Sequence, residues 1–128
     1  MRALLLLPLF LVGCAGLTND RFDPVEASRY SDIASLANRA VDRCDDKLTS
    51  LNNAIELRAQ SSMAAAYSRV KRENERVATA GNVPLVLSNE MVTRYLNTNP
   101  SAAYCKVKLA EIATAAEQVA RSIGKKEQ

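Results

Sequence analysis

The chain of 128 residues contains no histidine and no tryptophan, and only four glycines, four prolines and 5% aromatic residues. Without histidine, the commonest general base and the commonest metal ligand are both missing. The glycines stand singly at 13, 16, 81 and 124, so no glycine-rich phosphate loop exists. The adjacent carboxylates Asp45–Asp46 and the near neighbours Glu73 and Glu75 do not converge, because successive helical residues diverge by about 100°. The formal net charge is +3 with the signs interspersed, which is not the concentrated basic face of a nucleic-acid binder. The longest apolar stretch, Ala3 to Leu17, falls short of the roughly 20 residues a membrane span needs. These absences lead to the expectation of no enzymatic activity, no cofactor, no metal, no nucleic acid and no small-molecule substrate.

What is present begins at the N-terminus. Arg2 precedes an apolar run from Ala3 to Val12, broken only by Pro8, then come the small residues and cysteine of Gly13-Cys14-Ala15-Gly16, and the sequence turns polar at Thr18. That order matches a secretory signal peptide. Leu11-Val12-Gly13-Cys14 resembles the lipobox of bacterial lipoproteins. The resemblance implies that residues 1–13 are removed, that the Cys14 thiol receives a diacylglycerol and that the new amino group is acylated. Ala15 is not the Asp that marks inner-membrane retention in that family, so the implied destination is the periplasmic face of the outer membrane. Residues 14–22 then form a lipidated tether and residues 23–128 a single domain.

Cys44 and Cys105 are the remaining cysteines. In an exported protein an even pair of thiols predicts a bridge. Closing a loop of about 60 residues stabilises a fold by roughly 4 kcal/mol on the chain-entropy account.

The domain reads as all-α, a long helical hairpin or a small helix bundle, stapled by one disulfide. Asp23 caps, Pro24 suits the first helical position, and Glu26 follows three residues after the cap. From Val25 to Ala80 there is neither Gly nor Pro. Tyr30, Ala34, Ala37, Val41, Cys44, Leu48, Leu51 and Ile55 step by four and three like a packing seam, which continues with a stutter through Ala59, Met63, Ala66, Val70 and Val77. The spacing predicts one helix over about 24–80; a break at Ser61–Ser62 is the alternative. Gly81-Asn82-Val83-Pro84 predicts a stop and turn. A short helix over 88–97 capped by Ser88 and a last helix over about 100–123 after Asn99-Pro100 complete the reading. The favoured packing is antiparallel, with Cys44 facing Cys105.

Function is less legible. An interaction module fits best: an adaptor or pilot held by its lipid, with a protein partner in the cell envelope. Tyr67, Val70, Met91 and Tyr95 form the candidate partner surface, with packing of the apolar residues in the core the favoured reading of them. A plasmid- or phage-encoded exclusion lipoprotein and a structural envelope spacer are the other readings.

Overall fold

In a computed structural model, residues 22–71 and 75–123 are described. The lipobox, Cys14 and the tether up to residue 21 lie outside the described residues, as does the tail after Ile123. Among the described residues the secondary structure is helical, with no strand: α1 Pro24–Ala40, a single 3₁₀ turn Val41–Arg43, α2 Lys47–Lys71, α3 Glu75–Asn97 and α4 Ala102–Ile123. Each of α1 and α3 packs against both α2 and α4. The chain therefore runs up, down, up and down around one core, a small four-helix bundle.

The direction of each helix follows from particular contacts. Tyr30 near the start of α1 meets Ser68 near the end of α2. Glu90 and Arg94 of α3 meet Lys108 and Tyr104 of α4 in reverse order. Cys44, just past α1, is bonded to Cys105 in the first turn of α4, across a sequence separation of 61 and a Cα–Cα distance of 5.6 Å. Neighbouring helices are antiparallel, and the disulfide closes the end of the bundle opposite Asp23.

The first helix begins as the sequence suggests. Asp23 accepts from the backbone N–H groups of Val25 at 2.9 Å and Glu26 at 3.1 Å, with Pro24 at the first position. The long helix over 24–80 does not form. The chain turns at 41–46 instead of at Ser61–Ser62, because Asp46 caps a new helix by accepting from Thr49 N at 3.0 Å. Ser50 Oγ donates to the Arg43 carbonyl at 3.0 Å and satisfies one end of the interrupted helix. The next helix, α3, packs back along α2. Two turns thus replace a rod with a hairpin pair, and two shorter rods bury more apolar surface against each other than one long rod can.

The predicted stop at Gly81–Pro84 and the separate helix 88–97 are also replaced. Residues 75–97 form one helix through both residues. Proline in a helix interior removes a hydrogen bond and costs about 3 kcal/mol. Here the helix runs on through it, and Pro84 is buried in the bundle. Ser88 is no cap; it is buried, and its Oγ donates back to the Pro84 carbonyl at 2.6 Å. The last helix starts at Ala102, where Ser101 Oγ accepts from Tyr104 N at 3.1 Å.

The core is made by Tyr30, Ile33 and Ala37 of α1, Leu57 of α2, Met91 and Val92 of α3, and Cys105, Leu109, Ile112 and Val119 of α4. The part of the predicted seam that lies in α1, Tyr30, Ala34 and Ala37, falls within it. Of the predicted seam in α2, Leu51 alone packs against it. That helix buries Ser50, Ala54, Leu57, Ser61, Ala64, Ala65 and Ser68, mostly small side chains that allow close approach of α3. Leu48, Ile55, Met63 and Val70 face outward.

Candidate functional site

Three places on the bundle carry more than packing. The first is a polar lock joining the first turn of α1 to the last turn of α2. Asp23 Oδ1 is occupied by the two capping N–H groups, while Oδ2 accepts from the Tyr67 hydroxyl at 2.9 Å and pairs with Lys71 Nζ. Glu26, although nearly buried, accepts from Ser68 Oγ at 2.5 Å and faces Lys71 Nζ at 3.6 Å. Tyr30 OH and Ser68 Oγ lie 3.1 Å apart, and Arg29 and Lys71 lie over the Tyr67 ring at 5.2 and 5.7 Å. A buried carboxylate is tolerable only when paired and hydrogen-bonded in this manner.

The electrostatics follow from these contacts. The hydrogen bond from Lys71 holds the Asp23 carboxyl at about 2 against its ordinary 3.8, with the Glu26 N–H and Tyr67 hydroxyl assisting against desolvation. Burial pulls the Lys71 ammonium downward, but its hydrogen bond and charge pairing with Asp23 outweigh that, and the net direction is up. The Tyr30 hydroxyl is pushed up by burial, and that of Tyr67 by its donation to Asp23. All four carboxylate oxygens of the lock have internal partners. Its chemistry is to hold, and it stands where the chain enters the bundle.

The second place is the disulfide end, where Ser50 Oγ lies 3.7 Å from Cys105 Sγ. Asp46 is held below the ordinary carboxylate range by the N–H of Thr49 at the start of α2. The third is the outer side of α2. Between it and α1 runs an open groove of about 410 Å³ lined by residues that include Arg29, Asp32, Leu36, Glu56, Gln60 and Met63. Both signs of charge are mixed along it, and Met63, one of the outward apolar residues of α2, lines it.

The candidate partner surface is not one surface. Met91 and Tyr95 are core residues, at 0% and 4% exposure. They point inward because α3 runs unbroken from Glu75 and its buried side continues from Gly81 through Pro84 and Ser88. Tyr67 belongs to the polar lock and is half-buried, and Val70 alone of the four is open, at 81%. Cys44 and Cys105 are brought together; Cys14 lies outside the described residues. Sequence reading missed the lock and the Asp46 cap. Tyr67 and Lys71 stand four apart on a helix and signal a shared face, but their meeting with Asp23 depends on the turn at 41–46.

Among the described residues, no group of three His, Cys, Asp or Glu is placed to hold a metal ion, and no helix is long and apolar enough to cross a membrane. The class that the fold defines is a disulfide-stapled four-helix bundle. No family model, no curated protein and no solved structure matches the chain.

Proposed function

We propose that this chain is a bacterial lipoprotein, held by lipid on Cys14 at the periplasmic face of the outer membrane, whose bundle is a non-enzymatic interaction module for a cell-envelope component. One observation carries the reading: Leu11-Val12-Gly13-Cys14 stands behind a short apolar run and ahead of a domain closed by Cys44–Cys105. A disulfide suits the oxidising compartment to which such a signal leads. Each buried methylene of an acyl chain contributes roughly 0.8 kcal/mol, so the chains that a lipobox implies make attachment lasting. The nine residues 14–22, extended, reach about 30 Å, enough to hold the bundle clear of the headgroups. An outward apolar side on α2 supports a role in binding protein.

The test is metabolic labelling with palmitate. The natural chain incorporates label and fractionates with the outer membrane; Cys14→Ser incorporates none and is released from the membrane. Equal incorporation by both overturns the anchor. An anchored chain that crosslinks to no protein in intact cells overturns the interaction role.

A further inference from the structure

The outward residues of α2 form an unbroken stripe. Leu48, Ile55, Ala59, Met63, Ala66 and Val70 are all solvent-exposed, at up to 81% for Val70. Leu48, Asn52, Ile55, Ala59, Ser62 and Ala66 alternate steps of four and three, the spacing of a coiled-coil seam. The stripe has no charged member; Asn52 and Ser62 are its polar ones. From Leu48 to Val70 it is about 33 Å long at 1.5 Å per residue. The helix thus carries two packing faces: a face of small residues used inside the bundle and a larger apolar one left over.

We propose that this stripe is the seam of a parallel, two-fold pair of α2 helices from two copies of the chain. Three observations select this occupant and this direction. In a parallel in-register pair Asn52 meets Asn52 of the other copy, the arrangement that a single polar residue at such a seam position specifies. An antiparallel pair centred on Ala59 sets Asn52 against Ala66 and leaves its amide unpartnered in an apolar contact.

Charge points the same way. Glu56 lies on the edge of α2 that faces α1, where it lines the groove with Arg29 and Asp32. Arg58, two residues on, is about 200° away around the helix and lies on the other edge. A two-fold axis parallel to the helices brings the Glu56 edge of one copy beside the Arg58 edge of the other, on both sides of the seam. An axis that pairs them antiparallel sets Glu56 against Glu56 and Arg58 against Arg58.

The third observation is the position of Asp23, whose bonds to Tyr67 and Lys71 tie the entering chain to one end of the bundle. Parallel pairing puts both entry points on the same side, as two copies anchored in one membrane require. This part rests on the lipid anchor proposed above. The stripe offers about 330 Å² per copy, taking a helix face as roughly 10 Å wide. Stable interfaces bury about 1,200 Å² or more in total. The pair is therefore weak in free solution and fills when a shared membrane raises the effective concentration.

Cysteine placed on the seam of the full-length chain tests this. Ala59→Cys and Ser62→Cys, expressed to the cell envelope, are expected to give a disulfide-linked pair of two identical chains, identified by intact mass with the Cys44–Cys105 bridge retained. Thr114→Cys, exposed on α4, stays single. Adding Glu56→Arg to Ala59→Cys lowers the yield at least threefold, and adding Arg58→Glu to that restores it; far-ultraviolet circular dichroism confirms that each variant folds. Absence of the pair, bonding to a different protein, or no response to the charge swap overturns the proposal. Palmitate labelling separates the two readings: label without a pair overturns the pairing alone, and a pair without label overturns the anchor and the membrane dependence of pairing while the seam stands.

Discussion

Tyr30 fills the space where a side chain on Gly81 would stand: a methyl group there would overlap the phenol oxygen and lie 3.0 Å from Cζ. The glycine sits inside α3 for this reason and not to end a helix. On helix propensity alone, Gly81→Ala would stabilise by about 1 kcal/mol. Overlap with a fully buried ring wins instead, and the substitution is expected to destabilise by about 1–3 kcal/mol. Tyr30→Phe removes the overlapping oxygen, so the double variant should lose less than the two single losses combined. Urea denaturation of the four proteins measures this; a Gly81→Ala protein more stable than the natural chain contradicts it.

Asp23 makes stability fall in acid. Its carboxyl titrates near 2 when folded against 3.8 when free, so the folded state favours the ionised form. The contribution is complete above about pH 4, declines between about pH 4 and 2, and is gone below. Asp23→Asn keeps a capping oxygen but loses the charge that Lys71 pairs with, so it should cost roughly 1–2 kcal/mol at pH 7 and flatten the stability profile between pH 4 and 2. Lys71→Met should move the Asp23 titration upward, as carbon-13 shifts of its carboxyl will register. A profile of unchanged slope in Asp23→Asn would remove the lock from the account.

The disulfide closes a loop of 61 positions, and on the chain-entropy account its loss costs about 4 kcal/mol. The double variant Cys44→Ala with Cys105→Ala should show that loss in denaturant midpoint at neutral pH. If the loss is under 1 kcal/mol, the bundle does not depend on its staple.

Ser61 is fully buried on α2 and its hydroxyl has no hydrogen-bond partner. Replacing it by alanine removes an unsatisfied group and improves helix propensity, so Ser61→Ala should stabilise by about 1 kcal/mol. A rise in thermal midpoint of several degrees is the expected reading; a fall would mean that the hydroxyl is used.

The all-α class, the Asp23 cap and the pairing of Cys44 with Cys105 were legible because each rests on local pattern: helical spacing, a cap followed by proline, two thiols on apolar faces. The two chain reversals were not. The apolar steps from Val41 through Leu48 run past the Asp46 cap without a change of period. Gly81 and Pro84 misled in the opposite direction. Their usual meaning is a break, and only the Tyr30 ring, more than fifty residues earlier, explains the glycine. The α2 seam shows why periodicity alone fails to separate inside from outside. It locates an apolar face, while the core chose the small residues opposite, which let α3 approach. Met91 and Tyr95 went inward for the same kind of reason, since an unbroken α3 carries its buried side through to them.

The intact mass of the protein extracted from membranes in detergent tests the central claim most directly. The account predicts a chain that starts at Cys14, carries acyl groups on that residue, and gains two hydrogens on reduction as the Cys44–Cys105 bridge opens. A mass that retains Met1, bears no lipid and does not change on reduction would contradict it.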